Sequence, residues 1–266
     1  MRPLRSIACA LSLAALALAG CNRAPTPDAS TPVPAKEAPV ATADRDEHSY
    51  AEPTRVVIDD LALDLDLDFD SRTLAGTATY TLEWKDDAAT ELALDTRELT
   101  IERVDGEANG QWQPLEFALD DAHASLGSRL VVQAPERNAK IRVTYRTAPG
   151  ASGLQWLTPE MTEGKQLPFM FSQSQQIHAR SWVPLQDTPA VRYTYSATIR
   201  TRPDVMVLMS ADNDPAAQRT GEYTFSMPQK IPSYLMAIAA GDLVFKPISG
   251  RAGVWAEPAM VDRAVA

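Results

Sequence analysis

The sequence predicts an all-β protein, a saddle-shaped antiparallel β-sandwich domain. From residue 56 to 69 leucines alternate with aspartates (VVIDDLALDLDLDF), which is the period of a strand with one buried and one exposed face. Shorter runs of the same kind follow. Turn residues separate them, and no long amphipathic helix intervenes. Short connections between such strands favour antiparallel sheets packed face to face.

Residues 1–21 have the layout of a secretory signal peptide. Arg2 and Arg5 precede an apolar stretch over residues 7–18, and small residues precede Cys21. The residues around Cys21 (LAGC) resemble the bacterial lipobox, so Cys21 is the predicted lipid attachment site. A core helix or a membrane span is the alternative, but the stretch is too short to cross a bilayer. Asn22 after the cysteine favours sorting to the periplasmic face of the outer membrane, which predicts a lipid-anchored protein of the bacterial cell envelope.

Residues 22–49 are predicted to be a disordered tether. Five prolines fall between residues 25 and 39 among Ala, Thr and Ser, too closely spaced for a helix or strand. Proline favours extended polyproline II conformation, so the segment should act as a semi-stiff spacer between the membrane and the folded part.

Residues 50–249 are predicted to form the β domain. After the first strand, the runs with strand character are 76–84, 91–94, 99–104, 129–133, 140–145 and 192–200. Residues 254–256 are predicted to form a last strand, and Glu257 and Pro258 suit the first turn of a helix. That helix ends after about two or three turns without a cap, so we expect the sequence to be incomplete at its C-terminus.

Composition excludes several classes of function. The chain has 266 residues and a formal net charge of -10, which argues against nucleic acid as a partner. Its two cysteines, Cys9 and Cys21, both lie in the signal segment. The body of the chain therefore has neither a disulfide framework nor a thiolate metal site.

The aspartates at 64, 66, 68 and 70 admit two interpretations. A calcium loop of the EF-hand type needs glycine at its sixth position and glutamate at its twelfth, where this sequence has Phe69 and Ala75. The alternating leucines instead place the carboxylates on one side of a strand. We favour the solvated face over calcium binding.

No catalytic or metal-binding motif occurs in the sequence. His48, His123 and His178 are followed by Ser, Ala and Ala, so HExxH is absent. No serine lies in a G-x-S-x-G elbow, and there is neither a P-loop nor a GxGxxG motif. We therefore predict no catalytic residue and no metal ligand in this chain.

An unusual polar segment runs from residue 169 to 184 (FMFSQSQQIHARSWVP). Three glutamines between large apolar side chains need hydrogen-bond partners if they are buried. On a strand, Gln173 and Gln175 would share a face. One interpretation is a polar sheet face or a buried hydrogen-bond network; the other is a cleft whose amides bind a peptide backbone.

Several ordered blocks of the sequence resemble the N-terminal domain of zinc aminopeptidases of the leukotriene A4 hydrolase and aminopeptidase N family. The resemblance covers roughly residues 50–266 and is closer to the leukotriene A4 hydrolase branch. Its blocks are 72–78 (RTLAGTA), 94–102 (LDTRELTIE), 153–159 (GLQWLTP), 171–180 (FSQSQQIHAR), 184–189 (PLQDTP), 205–210 and 231–241 (IPSYLMAIAAG).

The resemblance implies a domain that closes one side of the cleft of a thermolysin-like catalytic domain. It also implies that a Gln-x-Gln stretch lines the substrate pocket near the N-terminal residue of a peptide. The candidate substrate-binding residues are then Gln173, Ser174, Gln175 and Gln176, with Gln175 the strongest. His178 and Asp187 match the family pattern too, and we interpret both as structural.

The family's catalytic motifs are missing. GxMEN, HExxH and the downstream glutamate and tyrosine do not occur, and we expect them beyond residue 266. Residues 250–266 are accordingly interpreted as the beginning of a truncated catalytic α/β domain, and the fragment alone as inactive. The implied parent is a zinc-dependent aminopeptidase. Its partners would be peptide N-termini, the missing catalytic domain and, through the lipid anchor, a membrane. The alternative is a stand-alone β-sandwich envelope lipoprotein that binds a ligand or partner.

Overall fold

A computed structural model describes residues 46–266. The predicted signal segment, Cys21 and most of the predicted tether lie outside the described residues. Within residues 46–266, no helix is long and apolar enough to cross a membrane.

The secondary structure is dominated by strands, as predicted. The strands are β1 (Val56–Asp68), β2 (Thr73–Trp84), β3 (Glu91–Thr96), β4 (Thr100–Ala108), β5 (Gln111–Pro114), β6 (Phe117–Leu119), β7 (Ser128–Gln133), β8 (Lys140–Arg146), β9 (Leu154–Leu157), β10 (Phe169–Ser172), β11 (Tyr193–Arg200), β12 (Met206–Met209), β13 (Glu222–Ile231), β14 (Ile238–Gly241), β15 (Val244–Pro247) and β16 (Gly253–Ala256). Three 3-10 turns (Pro159–Met161, Ala179–Ser181 and Ser233–Leu235) and one short helix, α1 (Val261–Ala264), complete the described elements.

The strands form one large sheet and three smaller ones. The large sheet has the order β13-β11-β1-β2-β8-β4-β5, and a four-stranded sheet has the order β12-β14-β10-β9. A three-stranded sheet (β3-β7-β6) and the β15-β16 hairpin make up the rest. One pair departs from the predicted antiparallel arrangement, because β1 and β11 run parallel. About 125 residues separate these two strands along the chain, far more than the dozen or so that a parallel crossover needs.

Strand β1 has the two faces that its sequence predicts. Leu61, Leu63, Leu65 and Leu67 are buried in a core shared with the four-stranded and three-stranded sheets, while the intervening aspartates point outward. Arg200 on the neighbouring β11 pairs with Asp64 and lies 3.9 Å from Asp66. A carboxylate row that faces solvent and a cross-strand arginine agrees with the solvated-face interpretation.

The predicted domain boundaries need two corrections. Ser49, predicted to lie in the tether, is buried, and its Oγ donates to Oδ2 of Asp95 at 2.5 Å, so the folded part already includes it. The predicted boundary between residues 249 and 250 falls in the turn of the β15-β16 hairpin. Phe245 and Trp255 hold that hairpin together with their rings 5.3 Å apart. The predicted last strand is confirmed as β16, but the helix after it spans only Val261–Ala264.

Candidate functional site

The glutamine segment lies in a loop at the end of a strand. Strand β10 pairs with β9 and β14 and ends at Ser172, so Gln173 and Gln175 are not on the strand where their alternation placed them. The Gln173 N–H donates to the carbonyl of Gly153 at 2.8 Å, and the peptide bond from Gln175 to Gln176 is cis. The loop leads directly into the 3-10 turn Ala179–Ser181.

Ser174 differs from the three glutamines around it because its side chain is buried. Its hydroxyl donates to the carbonyl of Met236 at 2.7 Å and accepts the indole N–H of Trp182 at 3.1 Å. Its own carbonyl accepts the N–H of His178 at 2.9 Å. Ser174 therefore holds the loop in place and does not present its hydroxyl to a ligand, which corrects its sequence-based assignment as a ligand contact.

Gln175 and Gln176 line a surface depression of about 290 Å³. Its other lining residues are Asp46, His48, Ile177, Pro189 and Tyr234. Gln173 is exposed but supports the loop from behind, since its Oε1 accepts the backbone N–H of Gln175 at 3.2 Å. Of the four sequence candidates, the structure thus brings two to the depression.

Five of the seven lining residues were not predicted as site residues. Ile177, Pro189 and Tyr234 lie within family-like blocks, which were the only sequence signal for them. Asp46 and His48 precede the first strand by about ten residues, in a segment predicted to be a tether. No local pattern marks them, because their place beside Gln175 depends on tertiary contacts.

Arg180 anchors the loop from beneath. It is fully buried, and its Nε lies 3.0 Å from Oδ2 of Asp187, while its Nη1 lies 3.5 Å from Oδ1 of Asp95. The same guanidinium donates to the carbonyls of Leu126 at 2.8 Å and of His48 at 2.7 Å. A buried guanidinium needs such a complete set of acceptors, because an unpaired charge in the interior is costly.

The two carboxylates of this network are also held by other segments. Asp95 accepts hydrogen bonds from the hydroxyl of Ser49 and from the backbone N–H groups of Tyr50 and Asp187. Desolvation raises the pKa of Asp95 despite the opposing charge of Arg180 and these hydrogen bonds. Asp187 additionally accepts from the hydroxyl of Ser233 at 2.5 Å, next to Tyr234. The walls of the depression are thereby fixed to one network.

His178 belongs to a separate, half-buried cluster. Its Nδ1 lies 2.8 Å from the hydroxyl of Ser152 and 3.1 Å from Nη1 of Arg97. Desolvation, followed by the charge of Arg97, lowers the pKa of His178. A neutral imidazole that accepts from both neighbours fits this arrangement and the structural role inferred for His178.

The described residues do not fit a zinc site. Over residues 46–266, no three His, Cys, Asp or Glu side chains come together as metal ligands. Zinc in proteins requires three or four converging ligands. We derive no metal-dependent step from this part of the chain.

The comparisons with known proteins identify the fold and the family. The profile of the Peptidase M1 N-terminal domain matches residues 48–235, so the chain belongs to this family. Leukotriene A-4 hydrolase of Xenopus laevis is 34% identical over 230 residues, covering 83% of this chain and 37% of that protein. Leucine aminopeptidase 2 of Yarrowia lipolytica is 38% identical over 197 residues, covering 73% of this chain and 29% of that protein.

Solved structures agree with the family assignment. Native yeast LTA4 hydrolase superposes with a TM-score of 0.76 at 30% identity, covering 86% of this chain and 35% of that one. An M1 zinc metallopeptidase from Deinococcus radiodurans superposes with a TM-score of 0.56 at 18% identity, covering 77% and 47%. The second likeness shows a shared fold alone. The chain spans about a third of the length of the curated relatives it matches.

Proposed function

We propose that this chain is the N-terminal, substrate-pocket part of a zinc metallo-aminopeptidase that removes N-terminal amino acids from peptides. The observation that carries the proposal is the pair Gln175 and Gln176, exposed on a depression and fixed from beneath by the Arg180 network. Membership in the M1 N-terminal domain family supports it, as does the similarity to leucine aminopeptidases.

The glutamines suit the recognition of a peptide N-terminus. A primary amide accepts a hydrogen bond from an α-ammonium group or donates one to a backbone carbonyl, without a change of its own charge with pH. Gln175 and Gln176 make these contacts in our proposal. Gln173 and Ser174 position them, the first through the N–H of Gln175 and the second through its buried hydroxyl. The backbone of the loop is thereby held in place before a ligand binds, so less conformational entropy is lost on binding.

The outer face of the four-stranded sheet is the proposed contact with the catalytic domain. Across β12, β14, β10 and β9 the register aligns Leu208, Ala239, Phe171 and Gln155. Phe171 is 37% exposed, and Leu235 near the depression is 51% exposed. Exposed apolar side chains grouped beside a polar site are typical of a protein interface. The extra length of the relatives leaves room for such a domain.

The catalytic chemistry lies outside this chain in the proposal. The catalytic domain would hold the zinc, which would supply Lewis-acid activation of the scissile carbonyl and of water. The residues described here bind and orient the substrate. We accordingly expect the 266-residue chain by itself to hydrolyse no peptide.

We also propose a location in the bacterial cell envelope. Cys21 carries the lipid in this proposal, and the proline-rich residues after it lift the domain off the periplasmic face of the outer membrane. Globomycin, which blocks lipoprotein signal cleavage, should make the unprocessed precursor accumulate. A Cys21→Ala variant should no longer be acylated and should fail to incorporate labelled palmitate. Palmitate labelling of that variant, or no labelling of the unsubstituted protein, would contradict the anchor.

Hydrolysis of aminoacyl 4-nitroanilides tests the proposed activity. The chain alone and the product of its whole open reading frame are assayed with and without a zinc chelator. We expect activity only in the longer product, abolished by the chelator and restored by zinc. Inactivity of both products would overturn the proposal and favour a stand-alone binding module.

A variant pair then tests the site. Gln175→Ala in the active product should lower kcat/KM by about ten- to hundredfold, the effect of losing a hydrogen bond to a charged group. Gln113→Ala, an exposed glutamine on β5, is the matched control and should leave kcat/KM unchanged. The same kcat/KM for the two variants would show that Gln175 does not contact the substrate.

A further inference from the structure

The wall of the depression opposite the glutamine loop is made by residues that precede the β domain's first strand. Asp46 and His48 both line it, beside Gln175 and Gln176. Nothing in the proposed function so far uses them.

This short segment is held rigidly. The carbonyl of His48 accepts from Nη2 of Arg180 at 2.7 Å, so the segment and the glutamine loop share one anchor. The carboxylate of Asp46 accepts the backbone N–H of His48 at 2.9 Å, and its carbonyl accepts the N–H of Ser49 at 3.2 Å. Asp46 is therefore fixed relative to Gln175 before any ligand arrives.

Asp46 supplies a negative charge to the depression. It is the only carboxylate among the seven described residues that line it. Its side chain is 27% exposed, which leaves it reachable by a ligand but partly shielded from water. Desolvation by itself would raise the pKa of Asp46, but hydrogen bonds from Thr188 and His48 and the charge of His48 together lower it. The group is thus ionised at neutral pH.

We propose that Asp46 recognises a cationic group of the bound peptide, an ammonium or a guanidinium, while the neighbouring glutamine amides bind its backbone. The inference rests on the proposed function and deepens it. Two parts of a peptide supply this chemistry, namely the α-amino group of the first residue and a Lys or Arg side chain. A carboxylate held in place beside two amides favours either over a neutral group of the same size.

Four small probes separate the two sources. Leucine amide has only the α-ammonium, N-acetyl-arginine amide has only the side-chain cation, arginine amide has both, and N-acetyl-leucine amide has neither. Binding to this chain is measured by NMR titration at pH 7 and low salt, where the α-amino group of the probes is mostly protonated, with the backbone amides of His48 and Gln176 as reporters. We expect the cationic probes to bind roughly two- to fivefold more tightly than the neutral one, the effect of a partly exposed ion pair.

The substitution Asp46→Asn tests the residue itself. Asparagine keeps an oxygen that accepts the N–H of His48, so the segment should stay in place while its charge is lost. The preference for cationic probes should then disappear, and added salt should reduce it in the unsubstituted chain. Asp214→Asn is the matched control: Asp214 also accepts an N–H two residues later, at 2.8 Å, and does not line the depression.

The outcomes are distinct. A preference for leucine amide over its acetylated form, lost in Asp46→Asn, assigns the α-ammonium, and a preference for N-acetyl-arginine amide assigns the side chain. Equal affinity for all four probes, the absence of binding, or a preference that survives Asp46→Asn overturns the proposal. Because the assay needs no hydrolysis, its failure is distinguishable from failure of the aminopeptidase proposal, which the chelator experiment decides.

Discussion

Arg180 and Asp187 are seven residues apart and meet in the protein interior, with Nε of the arginine 3.0 Å from Oδ2 of the aspartate. Neither side chain is exposed to solvent. The pair joins the glutamine loop to the segment that leads into β11. Its hydrogen bonds extend to the chain before β1, so it fixes both walls of the candidate site.

Loss of Arg180 should destabilise the domain strongly. Arg180→Met leaves Asp187 and Asp95 buried without their cation, and removal of one partner of a buried pair costs about 3–5 kcal/mol. Urea unfolding followed by circular dichroism measures the change. Arg200→Met is the control, because Arg200 pairs with Asp64 at the surface and its loss should cost about 0–1 kcal/mol. Similar losses for the two variants would contradict the role of the network.

Ser174→Ala should weaken the fold although it removes a single oxygen atom. The substitution leaves the indole N–H of Trp182 and the carbonyl of Met236 without a partner in the interior. Unsatisfied buried groups cost about 1–3 kcal/mol. Ser196→Ala, at an exposed position of β11, should leave the free energy of unfolding in urea within about 0.5 kcal/mol of the parent. An unchanged midpoint for Ser174→Ala would show that its hydroxyl does not hold the loop.

Two core tyrosines should respond differently to loss of their hydroxyls. Over residues 46–266, the buried hydroxyl of Tyr145 finds no hydrogen-bond partner, whereas that of Tyr80 donates to the carbonyl of Pro184. Tyr145→Phe should therefore keep or raise the melting temperature, and Tyr80→Phe should lower the stability by about 1–3 kcal/mol. Differential scanning calorimetry of the two variants measures both effects. A larger loss of stability in Tyr145→Phe than in Tyr80→Phe would contradict the prediction.

The stability of the domain should decrease as the pH is lowered through the range in which histidine titrates. The pKa of His178 lies below its ordinary value of about 6.5, so the unfolded chain takes up a proton more readily than the folded one. The stability that depends on neutral His178 is complete above the ordinary histidine pKa of about 6.5. It is lost as the pH falls from there through the lower pKa of the folded state. We expect the melting temperature to drop less between pH 7.5 and pH 5.5 in His178→Gln than in the unsubstituted protein.

Arg97→Gln provides the control for this titration. Its charge is the second cause of the lowered pKa of His178, so its removal should give a drop between those of the other two proteins. Identical drops in all three proteins would show that His178 does not contribute to the pH dependence.

The sequence predicts the strands of this domain better than the arrangement of its site. Alternation in β1 is strong because one face packs on the core, and the leucines confirm it. The parallel pairing of β1 with β11 is invisible to such patterns, since it depends on contacts between distant residues. The same reason explains the boundary at Ser49, whose buried hydroxyl is recognisable only once Asp95 is seen opposite it.

At the site, composition identified the segment but not the direction of each side chain. Three glutamines among large apolar residues indicated either a polar sheet face or buried hydrogen-bond network, or a cleft; the structure places all three glutamines on the surface, in a loop. Gln175 and Gln176 line the depression, while Ser174 turns inward because Trp182 and Met236 offer partners there. Asp46 could not be found from the sequence, since a carboxylate in a polar, proline-rich stretch carries no pattern of its own.

The long reach of Arg180 has a consequence for the order of folding. Its guanidinium bonds to the carbonyl of His48, which is 132 residues away along the chain. Closing so large a loop costs entropy before the contact can stabilise the chain, and we predict that this contact forms after the transition state. Substitutions in the network should then accelerate unfolding and leave the folding rate nearly unchanged. The contacts that shape the candidate site would be the last to form and would govern the lifetime of the native state.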